Sequence, residues 1–300
     1  MGVVICTHDR PVLMREALAT VLEQSYPGMI DVVVVFDRSE PETELELETP
    51  TRRVRVTTNL RTPGLAGARN SGIALLDTEW TAFCDDDDTW RPERLERQVS
   101  RLEGHPDAVM CTTAMTVRWG DQTTDRLAGK DEVTFADLLR SRMAMLHSSS
   151  FLLRTDTLSE GGAVGPVDET LPRSMAEDWD LMLRASRVHP IVHVDEPLVD
   201  VLWGATSYFN DAWRDKNEAH HWLLEHYPEM LDDPVAHAFM SGKLAFGHAA
   251  LGERRTALAH TRECLAARWR EPRGWLALAV IAGVPASRVQ SALNKRGRGI

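Results

Sequence analysis

The sequence predicts an α/β fold, with a mostly parallel central sheet flanked by helices and an α-helical appendage at its C-terminal end. Three observations carry this. Short Val/Ile runs are unbroken rather than alternating, as in strands buried on both faces; these runs alternate with helical patterns through the first half; and beyond about Trp213 the pattern is helical alone.

The elements follow in order. Val3 to Cys6 reads as the first strand, Pro11 to Gln24 as a helix opened by proline, and Asp31 to Phe36 as the second strand. Val54 to Thr57 extends again, Pro63-Gly64 turns the chain, Ala66 to Leu76 fits a helix, and Trp80 to Cys84 fits the next strand. Strands near Ala108 to Thr113 and Ser149 to Arg154 extend the sheet, and Met175 to Ser186 reads as a helix anchored by Leu181 and Leu183. In the appendage, Asp233-Pro234 supplies a cap and a first-turn proline for a helix over Val235 to Leu251, and Gly252 stops it. A second helix, Arg254 to Trp269, ends before Pro272. No second copy of this pair occurs at a fixed period, which argues against a repeat array. The expected division is a catalytic domain over 1–212 and a helical region over 213–300.

Bulk properties restrict the function. With 300 residues, 43% of them hydrophobic, the chain can bury a large core. Its net charge of -11, from 34 basic and 45 acidic residues, argues against a general nucleic-acid binder. Cys6, Cys84, Cys111 and Cys264 are widely spaced, so they suggest neither a zinc cluster nor a disulfide framework, and the expected compartment is reducing. No charged-then-apolar leader precedes Val3, and no apolar run reaches the roughly 18 residues of a membrane span. The expected location is the cytoplasm. A tail with Arg288, Lys295, Arg296 and Arg298 and no acid is the segment suited to peripheral contact with an anionic inner membrane face.

Ligand crevices in open α/β sheets lie outside the carboxyl ends of the strands. That rule selects Thr7-His8-Asp9-Arg10, Asp37-Arg38-Ser39 and Asp85-Asp86-Asp87-Asp88, each directly after a strand. Four consecutive aspartates crowd like charges, which a hard divalent ion such as Mg²⁺ or Mn²⁺ would relieve. The alternative reading of the run is a solvated turn. An EF-hand loop is not indicated, because alternating ligands, a central Gly and a final Glu are missing. The chain also lacks G-x-x-x-x-G-K-[ST], G-x-G-x-x-G, H-E-x-x-H and G-x-S-x-G, so its chemistry must come from carboxylates.

Five ordered motifs share one resemblance. Val3 to Pro11, Asp37, Asn59-Leu60-Arg61 with Gly64 and Gly67 to Gly72, Phe83 to Pro92, and Glu177-Asp178-Trp179-Asp180-Leu181 resemble the family 2 glycosyltransferases of GT-A fold across roughly residues 1–205. The resemblance implies a Rossmann-like α/β domain of GT-A type that binds a nucleotide-sugar and transfers the sugar, with inversion, to an acceptor hydroxyl. By the same resemblance Thr7, His8 and Asp9 lie where the family's first loop meets the nucleobase, Asp37 where an aspartate recognises the base, and Arg69 where the nucleotide is approached. Asp85 to Asp87 overlay the acidic donor motif, with Asp87 the direct metal ligand, Asp85 and Asp86 nearer the ribose and the ion's water shell, and Asp85 a further candidate ligand.

This chain departs from the family in its first loop, where Cys6 and His8 replace the usual proline and aromatic ring; that leaves Asp37 as the main source of base selectivity. Glu177-Asp178 opens a helix, and Asp178 is the candidate general base. An acid at a helix N-terminus also has a purely structural explanation. A third metal ligand is open between His189 and His193, and His147 is a candidate for the donor or acceptor pocket. His220-His221 does not suggest a two-ligand site, since adjacent helical residues point in different directions. Trp179, Trp203 and Trp213 are candidates for sugar stacking or for core packing.

The expected donor is a UDP-sugar, with GDP- or dTDP-sugars as alternatives, and the acceptor a saccharide or glycoconjugate. Two other functions compete: a sugar-1-phosphate nucleotidyltransferase, which would need a Gly- and Arg-rich loop that Cys6-Thr7-His8-Asp9 does not offer, and a non-catalytic nucleotide-sugar-binding protein. Trp203 to Phe209 departs from the family's usual Arg- and His-containing loop, so the acceptor is not readable there. The helical region is compatible with an acceptor wall, a homodimer contact or a partner surface.

Overall fold

The computed structural model describes residues 1–203 and 212–294, which divide into two compact units. Unit 1 comprises Met1–Phe135, Met143–Thr170 and Glu177–Trp203; unit 2 comprises Ala136–Arg142, Leu171–Ala176 and Gly204–Ile300. Most of the segment from Trp203 to Phe209, and Lys295, Arg296 and Arg298 of the basic tail, lie outside the described residues.

Unit 1 is built on one mixed, mostly parallel sheet. Its elements begin β1 (Gly2–Thr7), α1 (Pro11–Leu22), β2 (Ile30–Phe36), β3 (Leu47–Glu48), β4 (Arg52–Thr58), α2 (Leu65–Ile73), β5 (Trp80–Asp85), β6 (Thr89–Trp90), α3 (Arg94–Leu102), β7 (Met110–Trp119), β8 (Gln122–Arg126) and β9 (Glu132–Val133). The chain then forms α4 (Phe135–Arg140), which from Ala136 on belongs to unit 2, and returns to unit 1 for β10 (Leu152–Arg154), α5 (Glu177–Val188) and β11 (Ile191–Leu202). The strand order is β3-β4-β2-β1-β5-β10-β7-β11-β6, with β8 paired to β7 and β9 to β11. β4, β2, β1 and β5 run parallel, as the unbroken Val runs predict. This parallel half carries the polar loops that follow β1, β2 and β5.

Both faces of the parallel half are covered. Val3, Ile5, Val32 and Val34 pack with Met14, Ala17, Leu18 and Val21 of α1 in one buried cluster. The opposite face receives α2, where a Cβ on Gly72 would lie 2.5 Å from Val4 Cγ1 and 3.1 Å from Val35 Cγ2. Only a glycine lets α2 approach the sheet this closely.

Several bounds differ from the predicted ones. α1 stops at Leu22 because the buried Gln24 side chain serves other backbone groups, donating to Thr20 O and Arg91 O and accepting from Leu95 N. The helix expected from Met175 begins at Glu177, since Arg173, Ser174 and Ala176 have positive φ. The long β11 was not anticipated; it carries register shifts against β7 around Pro197.

Unit 2 contains α6 (Trp213–His226), α7 (Glu229–Asp232), α8 (Pro234–Ala250), α9 (Arg254–Ala267), α10 (Pro272–Ile281) and α11 (Ala286–Asn294). Asp233 caps α8 as expected, accepting from Val235 N and Ala236 N, and Gly252 turns the chain between α8 and α9 at φ 77°. No helix among the described residues is long and apolar enough to cross a membrane.

Candidate active site

The site lies in unit 1, at the carboxyl ends of β1, β2 and β5. Thr7 ends β1 and donates its hydroxyl to Asp86 Oδ2 at 2.8 Å. His8 is exposed, and its Nδ1 donates to the Asp37 carbonyl at 2.7 Å, tying the loop after β1 to the loop after β2. Asp9 has a left-handed backbone, φ 53°, and Arg38 turns the second loop in the same way at φ 54°. The strand ends thus bring the predicted segments onto one edge.

Asp37 is buried and fully engaged. Its Oδ1 accepts from Asn59 Nδ2 at 2.8 Å and from Gly64 N at 3.2 Å, and its Oδ2 from Arg38 Nε at 3.0 Å. Burial alone would raise its pKa, but the bonds from Asn59, Gly64 and Arg38 outweigh it and hold the carboxyl below its ordinary value. Gly64 reaches Asp37 from φ 122°, a conformation that favours glycine. An open cleft of about 530 Å³ lies here, lined by Asp9, Asp37, Arg38, Asn59 and Arg61 among others.

The four aspartates divide into distinct environments. Asp85 accepts from Arg69 Nη2 and from Ser148 Oγ, both at 2.8 Å. Asp86 is buried against Thr7 and Arg10. Asp87 pairs with Arg10 Nη1 at 2.8 Å, with its side chain 31% exposed, so it remains open to a ligand. Burial, then repulsion from Asp88, Asp85 and Asp86, pushes the Asp87 carboxyl up to about 7 against the pull of Arg10. Asp88 is buried, accepting from Ser149 Oγ at 2.6 Å and Leu202 N at 3.3 Å, with His147 Nδ1 at 3.1 Å.

A divalent cation fits this chemistry. The four carboxylates of the run are met by Arg10, Arg69 and His147, and their mutual repulsion adds to burial in raising Asp87. One ligand atom each of Asp85, Asp88 and His147 lie within 4.8 Å of one another. Hard oxygen ligands of this kind suit Mg²⁺ or Mn²⁺. The histidine at the run is His147. The buried His193 is used by Thr112 at 2.9 Å and Asp195 at 3.3 Å, and His189 Nδ1 donates to the Pro190 carbonyl.

Arg69 joins the two acidic motifs. Its fully buried guanidinium lies 4.9 Å from the Phe83 ring centroid and bonds both Asp85 and Glu177. Burial opposes the Arg69 charge, but Asp85 and Glu177 more than compensate and raise its pKa. Glu177 is pushed up to about 7, first by burial and against the pull of Arg69, with Asp178 and Asp85 adding repulsion. The two directions are compatible, because Arg69 faces two carboxylates and desolvation falls hardest on the deeper one. Asp178, the next residue, is half-buried, and its Oδ1 accepts from Trp179 N at 2.7 Å. Trp179 is 1% exposed and therefore packs in the core.

Glu169 had not been singled out by the sequence. It accepts from Arg61 Nε at 2.5 Å, Thr62 N at 3.1 Å and Asn70 Nδ2 at 2.7 Å, fastening the loop beside the cleft to α2. Those donors overcome the effect of burial and lower its pKa to about 2. Its only signal was the Asn59-Leu60-Arg61 motif that it serves, 108 residues before it in the case of Arg61.

Comparison with known proteins identifies the family and the fold. The model of the family described as glycosyl transferase family 2 matches residues 2–161. The chain is 28% identical over 103 residues to the Escherichia coli protein UDP-Glc:alpha-D-GlcNAc-diphosphoundecaprenol beta-1,3-glucosyltransferase WfgD, covering 34% of this chain and 40% of that one. The chain spans between 22% and 40% of the length of the first curated relatives it matches. Among solved structures, S. aureus TarS 1–349 in complex with UDP-GlcNAc matches with a TM-score of 0.63 at 19% identity, covering 99% of this chain and 92% of that one. The mannosyltransferase PcManGT from Pyrobaculum calidifontis, in complex with GDP-Man and Mn²⁺, matches with a TM-score of 0.53 at 19% identity, covering 97% and 78%. At these identities the structures share the fold.

Proposed function

The chain belongs to glycosyl transferase family 2, and from that premise we propose that it transfers a sugar from a nucleoside diphosphate sugar to an acceptor hydroxyl, inverting the anomeric carbon. One observation carries this reading. Arg69 bonds both the acidic run, through Asp85, and the acid pair that opens α5, through Glu177, which supports assigning donor binding and proton acceptance to neighbouring groups of one site.

The cleft at Asp37 and Asn59 suits the nucleobase, with the Asp9 and His8 loop at its rim; Asp85 and Asp86 serve the ribose and the inner donor side. Asp178 acts as general base. As the acceptor oxygen bonds to the anomeric carbon, its proton passes to the Asp178 carboxylate, and the bond from that carbon to the diphosphate oxygen breaks with its electron pair leaving on the nucleoside diphosphate. Arg69 holds Asp85 and Glu177 in place and is a positioning residue. Asp87 and Asp85, with Asp88 and His147 beside them, would hold a divalent cation. A bound Mn²⁺ or Mg²⁺ supplies positive charge where negative charge builds on the leaving group. UDP-sugars are the favoured donors, since WfgD is named for UDP-Glc and TarS 1–349 was solved in complex with UDP-GlcNAc. The acceptor is a saccharide or glycoconjugate.

The test uses calorimetry and turnover together. UDP binding in the presence of Mn²⁺ should weaken at least about tenfold in Asp87→Ala, equivalent to about 1.4 kcal/mol. Asp178→Asn should keep donor affinity and lose transfer by about 10²–10⁴-fold. Equal UDP affinity in Asp87→Ala would sink the metal assignment, and undiminished transfer in Asp178→Asn would sink the base.

A further inference from the structure

Unit 2 holds a second cluster of metal-ligating side chains that the transfer reaction does not use. His221 on α6, His248 near the end of α8 and His260 on α9 meet, with ring centroids 6.1, 5.9 and 5.4 Å apart in pairs. One ring nitrogen from each lies within 4.8 Å of the others. We propose that these three histidines form a Zn²⁺ site that clasps α6, α8 and α9 together.

The arrangement is specific in its hydrogen bonding. His248 Nδ1 lies 2.6 Å from Glu253 Oε2, and His260 Nδ1 lies 3.0 Å from Glu263 Oε2. A carboxylate at Nδ1 makes that nitrogen the donor and leaves Nε2 as a bare lone pair, which is how metal-ligating histidines are commonly oriented. The His248 Nε2 atom is buried and has no hydrogen-bond partner. A buried acceptor without a donor is costly, and a metal removes that cost. The turn at Gly252 builds the pair: Glu253 N donates to the His248 carbonyl at 2.9 Å, returning the Glu253 side chain to the ring five residues before it.

The donor set selects the ion. Three imidazoles without thiolate suit Zn²⁺ in tetrahedral geometry, with water in the fourth position, and discriminate against Mg²⁺ and Ca²⁺, which take oxygen ligands. Zn–N bonds of about 2.0–2.1 Å place tetrahedral ligands roughly 3.3 Å apart. Small rotations of three partly exposed rings close the remaining distance. His220 takes no part; one residue along α6 is about 100° around the helix, and it faces Lys216 and Lys243 instead.

The experiment titrates ZnCl₂ into the full chain in excess Mg²⁺, added to compete for the carboxylates of the acidic run. One Zn²⁺ should bind per chain, and Co²⁺ in its place should give the intense visible absorption of a four-coordinate ion. His248→Gln and His260→Gln should each weaken Zn²⁺ at least about 100-fold, and Glu253→Gln, which keeps all three ligands, by about 10–100-fold. Far-UV circular dichroism identifies any variant that fails to fold, and Glu253→Gln then carries the test. Zn²⁺ affinity unchanged in folded His248→Gln, His260→Gln or Glu253→Gln overturns the proposal, as does a six-coordinate Co²⁺ spectrum.

Discussion

Arg69 is the residue on which the site turns, because a buried guanidinium facing two carboxylates cannot be removed without stranding both. Arg69→Met should cost about 3–5 kcal/mol, read as a fall in unfolding midpoint, together with loss of transfer. Arg69→Lys would restore charge but not the two-sided fork, so it should recover stability in part and transfer poorly. A variant as stable and active as the parent would refute the role. Glu169 makes a pH-dependent contribution of the opposite kind. Its carboxyl titrates at about 2 in the fold against an ordinary 4.5, so its stabilisation is present above 4.5 and lost as pH falls through about 2. After discounting for solvent screening this amounts to about 1–2 kcal/mol. Unfolding curves of the parent and Glu169→Gln should therefore differ at pH 6 and converge near pH 2, and a constant difference across that range would exclude the linkage. Both residues show what sequence reading reaches at this scale. Arg69 and Glu177 were each visible, Arg69 and Asp85 were only 16 residues apart, yet the bridge to Glu177 spans 108 residues and no local pattern encodes it.

Individual elements were readable where burial was two-sided. β1, β2 and β5 announce themselves as continuous apolar runs because both faces are covered, whereas β11 begins apolar, then meets Asp195, Glu196 and Pro197 where its register shifts, and so resembles a loop. β6 and β9 have two residues each, too few for any period. α5 starts two residues after the Met175 read from its apolar pattern and at the Glu177 read from its acid pair, because the left-handed Arg173, Ser174 and Ala176, which do not signal that conformation by type, precede it. α2 offers a sharper element-scale test. Glycine inside a helix normally gains about 1 kcal/mol on replacement by alanine. At Gly72 the added methyl would sit 2.5 Å from Val4 Cγ1, inside a packed sheet face that has little room to yield. Overpacking costs about 1–3 kcal/mol and should win. Gly72→Ala is thus expected to destabilise by about 1 kcal/mol net in denaturant unfolding, and a stabilised variant would show that α2 can move off the sheet.

At the scale of the molecule, the two units have different chemistries and should answer different ligands. The oxygen-rich edge of unit 1 follows from the carboxyl ends of β1, β2 and β5, and was legible because the parallel topology dictates where ligands bind. The nitrogen-rich cluster of unit 2 was not legible, since His221, His248 and His260 are 27 and 12 residues apart and only the packing of three helices unites them. Amide hydrogen exchange, followed by mass spectrometry of fragments, separates the two. A ligand that binds only the folded state stabilises it by about 2.7 kcal/mol at a hundredfold excess over its Kd, and protection concentrates where the ligand closes local openings. UDP with Mn²⁺ should therefore slow exchange in the segments around His8, Asp37 and Asp87, and Zn²⁺ in excess Mg²⁺ should slow it around His248 and Gly252. Protection by UDP with Mn²⁺ that appeared around Gly252 alone would refute the placement of the donor in unit 1, while Zn²⁺ protection confined to the Asp85–Asp88 loop would assign that ion to the acidic run and leave the three histidines without it.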